Sequence, residues 1–384
     1  MSWGADFCLR LPCLLLAFGG QAHGAPHFEK AVLWEHDTGG YAHYRIPGVV
    51  VSRAGTVLAY AEARRTTRSD WAEIDVVMRR STDGGRTFQA PVRIGHMDGK
   101  FPKNPVAIAR NQGIGEGTTY NNPVAVADRN GAIHFLFCVE YMRAFYMRSD
   151  DDGRTWTLPV EITGAFAAFR ASYAWQVLAT GPGHGIQLRN GRLLVPVWLS
   201  LGTQGNGHGP SVAATIYSDD HGKTWKGGEI AGPDTAEMPS PNETTAVQLA
   251  DGRVMLNMRS PSAKQRRIFT YSKDGATGWT APAFDDALFE PVCFASLVRD
   301  GKHRLIFVNP DSQKRERRNL TVRISKDDGR TWAVKRVIEP GPSAYADLAV
   351  LRDGTILCLY ESGASTSYDR LTLARFDLQW VHQR

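Results

Sequence analysis

The chain carries the octapeptide Ser81-Thr-Asp83-Gly-Gly85-Arg-Thr87-Phe88 and repeats it, with small changes, three more times. The further copies are Ser149-Asp-Asp151-Asp-Gly153-Arg-Thr155-Trp156, Ser218-Asp-Asp220-His-Gly222-Lys-Thr224-Trp225 and Ser325-Lys-Asp327-Asp-Gly329-Arg-Thr331-Trp332. A weaker fifth copy runs from Ser272 through Asp274 to Trp279. In each copy the Asp can accept backbone N–H groups across a turn, and the Gly supplies a positive φ without steric cost. Each copy also follows a strand-like run, so the octapeptide predicts a hairpin turn.

The spacing of the copies predicts the fold. They begin at residues 81, 149, 218, 272 and 325, which puts them 68, 69, 54 and 53 residues apart. This spacing suits one four-stranded antiparallel sheet with its loops, as in β-propellers. At about 60 residues per blade, the chain after its N-terminal segment would fill six blades. We therefore expect an all-β, six-bladed β-propeller of four-stranded antiparallel sheets, forming a single domain over residues 26–384. A stacked β-sandwich is the alternative.

The N-terminal segment, residues 1–25, has the pattern of a secretory signal peptide. Arg10 precedes the apolar run from Leu11 to Phe18, and small residues follow at Ala22 and Gly24. This predicts a secreted or periplasmic protein, although Asp6 and the short apolar run leave a disordered N-terminus as the alternative. No run reaches the roughly 20 apolar residues of a membrane helix, so no integral membrane segment is expected. Removal of the signal would leave three cysteines, each among apolar neighbours and expected to be a buried thiol: Cys138, Cys293 and Cys358.

The charge balance favours an anionic partner. The chain has 45 Lys and Arg against 39 Asp and Glu, a formal net charge of +6, and 34 of the 45 basic residues are Arg. Arg binds carboxylates and phosphates bidentately, although codon usage in a GC-rich genome would also enrich it. The usual zinc, dithiol and serine-hydrolase motifs do not occur in the sequence, and no nucleotide-binding fingerprint is found. We therefore expect no metal, no cofactor and no nucleic acid.

Several motifs outside the repeat indicate a family. Tyr44-Arg45-Ile46-Pro47 is followed by Glu62-Ala-Arg64 and by Ser69-Asp70-Trp71. An Arg-Ile-Pro motif combined with several Asp-box turns resembles the exo-α-sialidase (neuraminidase) superfamily, over about residues 41–361. The resemblance implies an exo-acting glycoside hydrolase that removes terminal sialic acid from glycoproteins, glycolipids or oligosaccharides with retention of configuration. The alternatives are a trans-sialidase, a hydrolase of a related nonulosonic acid such as deaminated sialic acid, and a non-catalytic glycan-binding propeller.

The resemblance assigns the residues that bind the sialic acid carboxylate. Arg45 and Arg259 match the first two of three arginines in that family, and Arg317 matches the third, with Arg318 as the alternative. Glu361 matches a carboxylate that braces the first arginine. Guanidinium groups suit this task because each charge-assisted hydrogen bond to a carboxylate contributes about 1.5–3 kcal/mol.

The resemblance also assigns the catalytic residues: Asp70 as the acid/base, Tyr345 as the nucleophile and Glu243 as its base. The chemistry is consistent with these residue types. The substrate carries a carboxylate on its anomeric carbon and would repel a carboxylate nucleophile, whereas a neutral phenol avoids this repulsion; sialidases with a Tyr nucleophile are a named exception to the two-carboxylate scheme. Because a phenol has a solution pKa of about 10, Tyr345 needs a base at neutral pH.

Three further residues are candidates for substrate contacts. Arg64 resembles an arginine near the C4 substituent of the sugar, Asn122 stands where some relatives have Asp, and Gln176 lies in a segment similar to the family's rim. Trp71 departs from the small or polar residue expected after the acid and would narrow the cavity. The Gly-rich stretches 111–119 and 201–211 are expected to be flexible rim loops.

Overall fold

The computed structural model of the chain describes residues 1, 26–113, 115, 117–301 and 303–383, so the predicted signal segment, with Cys8 and Cys13, lies outside the described residues apart from Met1. The described residues are mostly in β-strands, as the sequence predicts. In chain order the strands are β1 Phe28–Glu35, β2 His43–Val51, β3 Val57–Arg64, β4 Ile74–Ser81, β5 Val92–Ile94, β6 Tyr120–Ala127, β7 Ile133–Val139, β8 Arg143–Ser149, β9 Val160–Glu161, β10 Val177–Thr180, β11 Gly183–His184, β12 Ile186–Gln187, β13 Leu193–Gln204, β14 Gly209–Ser218, β15 Lys226–Gly232, β16 Thr244–Gln248, β17 Val254–Met258, β18 Arg266–Ser272, β19 Ala283–Phe289, β20 Ser296–Arg299, β21 Leu305–Pro310, β22 Arg318–Ser325, β23 Val334–Val350, β24 Ile356–Ser362 and β25 Arg370–Phe376.

Helices are few and short. They are α1 Pro105–Ala109, α2 Leu378–His382 and a 3-10 helix over Thr163–Phe169. In the part of the chain that the structure describes, none of the helices is long and apolar enough to cross a bilayer.

The octapeptides form the predicted turns. In the first copy, the Gly85 N–H donates to Ser81 Oγ over 2.8 Å, and the Thr87 N–H donates to Asp83 Oδ1 over 3.0 Å. The Thr87 hydroxyl also donates to Asp83 Oδ2 over 2.6 Å, and Gly85 has a φ of 80°. Each of the other three full copies repeats the bonds from the Gly N–H to Ser and from Thr to Asp. The repeat is therefore a turn that the Asp and Ser side chains stabilise.

The prediction of six four-stranded blades is wrong in its count. The described strands form five sheets, of seven, five, five, four and four strands, in a propeller arrangement that is antiparallel except where β11 pairs with β6. The seven-stranded sheet arises because β23 is 17 residues long. Its first part pairs with β22 and its second part pairs with β24, so two groups of strands share one strand and join into a single sheet. The spacing of turns along a sequence does not reveal a shared strand.

The N-terminal strand completes the last sheet. Strand β1 pairs antiparallel with β25, and Phe28 lies opposite Phe376 in the register. Apolar side chains are buried between neighbouring sheets, and one such cluster joins Val49 and Ala59 to Leu357. The three cysteines expected to be buried thiols are confirmed: Cys138, Cys293 and Cys358 are free and buried.

Candidate active site

A cavity of about 250 Å³ lies at one end of β2, β6 and the second part of β23. Side chains reach it from the beginning of these strands and from the residues just before β16 and β22, so distant parts of the chain meet there. The cavity is lined by Arg45, Ile46, Asp70, Asn122, Tyr141, Trp198, Asn206, His208, Asn242, Glu243, Arg259, Arg317 and Tyr345.

Three arginines converge on one tyrosine in this cavity. The guanidinium carbons of Arg45, Arg259 and Arg317 lie 5.4, 6.0 and 5.2 Å from the centre of the Tyr345 ring. Arg318 lies elsewhere: it is exposed, and its guanidinium is 3.8 Å from Glu316. The structure therefore places Arg317, and not the alternative Arg318, among the converging arginines.

Glu361 compensates the charge of Arg45. It is fully buried and accepts from Arg45 Nε over 3.0 Å. Its two oxygens also accept the backbone N–H groups of Ile46 and Tyr345, each over 3.2 Å. Burial alone would lower the pKa of Arg45, but the attraction of Glu361 and Asp70 outweighs it and raises that pKa above its ordinary value. Arg45 is thus held in its charged form.

Tyr345 has both a hydrogen-bond acceptor and a cation at its hydroxyl. Tyr345 Oη donates to Glu243 Oε1 over 2.5 Å, and Arg259 Nη1 donates to Tyr345 Oη over 2.6 Å. Arg259 also forms an ion pair with Glu243. Burial is the largest influence on the phenol and raises the pKa of Tyr345 well above its ordinary value, with Glu243 adding to this and Arg259 opposing it. The phenol is therefore protonated at neutral pH and lies in contact with a carboxylate that can take the proton.

Asp70 lies at the same cavity and is held by arginines. Arg64 Nη2 is 2.8 Å from Asp70 Oδ1, and Arg45 Nη1 is 3.7 Å from that oxygen. Burial would raise the pKa of this carboxyl, but the attraction of Arg64, His208 and Arg45 outweighs it and holds the pKa of Asp70 below its usual range. Asp70 is therefore a carboxylate at neutral pH.

Arg64 lies behind Asp70 and is not part of the cavity lining. Its side chain is fully buried, and Arg64 Nη2 donates to Glu62 Oε2 over 2.6 Å as well as pairing with Asp70. In this arrangement it anchors the acid and is covered by it. The assignment of Arg64 to the surroundings of the sugar's C4 substituent stays a prediction.

The two remaining candidates differ in position. Asn122 is buried and lines the cavity with a φ of 51°, and its backbone N–H donates to Glu62 Oε1 over 2.9 Å. Gln176 has an exposed side chain and does not line the cavity; only its backbone is bonded nearby, to Ser200 and to Asn104.

The structure adds cavity residues that the sequence motifs did not single out. Tyr141, Trp198, Asn206 and His208 line the end of the cavity beside Asp70. Asn206 and His208 lie in the Gly-rich stretch 201–211, which was expected to be a flexible rim loop; most of that stretch instead belongs to β13 and β14, and its tip forms part of the cavity wall. The sequence feature that could have identified this part of the cavity wall is the presence of Asn206 and His208 within a Gly-rich segment.

Tyr368 is a second addition, outside the lining. Its hydroxyl accepts from Arg317 Nη1 over 3.1 Å, and its ring centre lies 4.6 Å from the guanidinium carbon of Arg45. Among the described residues, no group of three or more His, Cys, Asp or Glu side chains is arranged to hold a metal ion.

The chain belongs to the BNR repeat-like domain family, which matches residues 103–358. It is 30% identical to a sialidase of Micromonospora viridifaciens over 393 residues, covering 93% of this chain and 55% of the relative. It is 32% identical to a sialidase of Bacteroides fragilis over 348 residues, covering 84% of this chain and 61% of the relative. The chain thus spans between half and two thirds of the length of these curated relatives.

A solved sialidase structure is also similar to this chain. The Hadza microbial sialidase Hz136 superposes on this chain with a TM-score of 0.70 at 26% identity, over 88% of this chain and 66% of the other. The expected resemblance to the sialidase superfamily is therefore confirmed.

Proposed function

We propose that the protein is an exo-α-sialidase that hydrolyses terminal α-linked sialic acids of glycoproteins, glycolipids or oligosaccharides with retention of configuration. The observation that carries this proposal is the hydroxyl of Tyr345, which lies between Glu243 Oε1 at 2.5 Å and Arg259 Nη1 at 2.6 Å within a ring of three arginines. The sialidase relatives support the same activity.

Substrate binding begins with the carboxylate of the sugar. Arg45, Arg259 and Arg317 offer guanidinium donors from three sides and orient this group above the Tyr345 ring. Fixed donors of this kind contribute more than exposed ones because the cavity excludes much of the water that would compete with them. The anomeric carbon, which bears the carboxylate, is then brought to Tyr345 Oη.

In the first half of the reaction, Tyr345 Oη attacks the anomeric carbon and passes its proton to Glu243. Asp70, in its acid form, protonates the glycosidic oxygen as the bond from the anomeric carbon to that oxygen breaks. In the second half, Asp70 takes a proton from water, which attacks the same carbon. Glu243 returns its proton to the departing Tyr345 oxygen, and both residues recover their starting states.

Asp70 must gain a proton before it can act as the acid. Arg45 is shared between Asp70 and the incoming carboxylate, so substrate binding weakens its hold on Asp70. The bound sugar also displaces water from the carboxyl, which favours its neutral form. Both effects raise the pKa of Asp70 in the complex.

The test is hydrolysis of a fluorogenic aryl α-sialoside by the wild type and by Tyr345→Phe. We expect activity in the wild type and a loss of at least about 100-fold in the variant, since the phenol oxygen is the nucleophile. Tyr217→Phe, which changes a partly buried tyrosine outside the cavity, is the matched control and should keep wild-type activity. Proton NMR of the first product should reveal the α anomer. An inactive folded wild type, equal activity in Tyr345→Phe, or an initial β anomer would each overturn the proposal.

Acceptor competition separates hydrolysis from transfer. With lactose present at a concentration far below that of water, a hydrolase gives mainly free sialic acid. Preferential formation of a sialylated acceptor would instead establish a trans-sialidase of the same chemistry.

Export is part of the proposal. The apolar run from Leu11 to Phe18 supports a signal peptide over residues 1–25 and a secreted or periplasmic enzyme. N-terminal sequencing of the expressed protein tests this: loss of this segment supports export, and an intact N-terminus in the cytoplasmic fraction contradicts it.

A further inference from the structure

The tip of the hairpin between β13 and β14 rests on the loop that carries the proposed acid. The backbone oxygen of Asn206 accepts from Trp71 Nε1 over 2.7 Å, and Asn206 Nδ2 donates to Asp70 Oδ2 over 3.4 Å. Trp71 is 1% exposed and directly follows Asp70 in the chain. The position of the Trp71 indole therefore restricts the backbone position of Asp70.

An aromatic cluster strengthens this contact. The His208 ring lies 5.3 Å from the Trp71 ring, 4.7 Å from Tyr141 and 5.2 Å from Trp198, measured between ring centres. Trp71 also contacts Tyr141 directly, at 4.8 Å. His208 thus fills the space between the residue next to the acid and two aromatic residues of the cavity wall.

The hairpin tip packs closely against Val106 and Trp71. Gly207 has a φ of 93°, and a Cβ atom placed there would lie 2.8 Å from Val106 Cγ1 and 3.2 Å from the Trp71 ring. Gly205, two residues earlier, also has a positive φ, of 57°, but a Cβ there would meet nothing within 4 Å. Both positive φ values disfavour a side chain, but only at Gly207 would a Cβ atom also crowd Val106 and the Trp71 ring.

We propose that this hairpin tip, residues 204–209, is a positioning element for the Asp70 acid, and that His208 is its main positioning residue. The inference rests on the proposed function, because it assigns Asp70 the task of protonating the leaving group. Arg64 holds the carboxylate from behind, and the tip holds it through Trp71 and Asn206 from the cavity side. Asp70 is thereby kept where the glycosidic oxygen arrives.

The test compares two substrates that need the acid to different extents. An alkyl glycoside such as a sialyl-lactose has a poor leaving group and depends on protonation, whereas an aryl sialoside has a good leaving group and depends on it little. Gly207→Ala should lower kcat/KM for the alkyl substrate by about 100-fold, as a displacement near 1 Å does, and for the aryl substrate by less than about 10-fold. Gly252→Ala is the matched control, because Gly252 lies outside the cavity, has a similar φ of 95° and offers open space to a Cβ atom; it should change neither value by more than about 2-fold.

If Gly207→Ala does not fold, a second pair of variants, at His208, tests the positioning role. His208→Ala removes the ring and should lower the ratio of alkyl to aryl activity by at least about 10-fold, and His208→Phe, which restores a ring, should recover most of that ratio. An equal loss on both substrates, or no change in the ratio, would overturn the positioning role. Failure of the wild type on both substrates would instead refute the proposed function, so the two failures are distinguishable.

Discussion

Replacement of Glu361 by Gln should destabilise the protein strongly, because it leaves a buried charge without its partner. The side chain keeps its size, but the ion pair to Arg45 Nε at 3.0 Å is lost, and one of the acceptors for the N–H groups of Ile46 and Tyr345 becomes a donor. Arg45 is 8% exposed, and among the described residues its one other acidic partner is Asp70, at 3.7 Å from Nη1. Breaking a buried ion pair in this way costs about 3–5 kcal/mol. We expect Glu361→Gln to lower the free energy of unfolding by that amount.

Urea denaturation followed by tryptophan fluorescence measures the change. Glu237→Gln provides the control, since Glu237 pairs with Lys264 and both side chains are exposed, at 61% and 55%. An exposed pair of this kind contributes less than about 1 kcal/mol. If Glu361→Gln were within about 1 kcal/mol of the wild type, or no worse than the control, the buried pair would not have the stabilising role assigned to it.

Three further predictions concern charged side chains. Arg317→Lys keeps the charge but loses the bidentate fork, so the KM for a sialoside should rise at least about 10-fold, whereas Arg318→Lys should leave it unchanged; the opposite pattern in steady-state kinetics would exchange the two assignments. Hydrogen bonds from Thr155 lower the pKa of Asp151 to about 2. The contribution of Asp151 to the free energy of unfolding is therefore present above about pH 4 and lost as the pH falls toward 2. In Asp151→Asn, the free energy of unfolding measured with urea should fall less steeply over this pH range. Burial alone would lower the pKa of His184, but its buried partner Asp347 outweighs this and raises that pKa. The contribution of His184 to the free energy of unfolding is therefore full below about pH 6.5 and lost as the pH rises through the folded pKa. A variant His184→Gln whose stability has the same pH dependence as the wild type would contradict this.

Local motifs predicted the turns, and the family resemblance predicted the residues that meet in the cavity. The octapeptides form the predicted hairpins because Ser81, Asp83 and Thr87 make their hydrogen bonds within one turn, so the needed information lies within a few residues. Arg45, Glu243 and Tyr345 meet in the cavity although 102 to 300 residues separate them in the chain. Their convergence was expected from the family resemblance and not from any local pattern.

The features that were missed depend on contacts between distant segments. The sheet count was wrong because β23 continues from one group of strands into the next, and pairing at both of its ends is invisible in the spacing of turns. His208 was missed because its proposed role depends on Trp71, on Tyr141 between β7 and β8, and on Trp198 of β13. The burial of Arg64 against Asp70 likewise could not be read from its local motif.

In the proposed mechanism, the hydroxyl oxygen of Tyr345 forms the covalent bond to the sugar. A 2,3-difluorinated sialic acid, whose electron-withdrawing fluorine slows release of the intermediate, should trap that bond in the wild-type enzyme. Peptide mapping by mass spectrometry should then find the added sugar on Tyr345, and the label should be absent in Tyr345→Phe. A label on Glu243, on Asp70 or on any residue other than Tyr345, or turnover of the probe with no covalent adduct, would contradict the account.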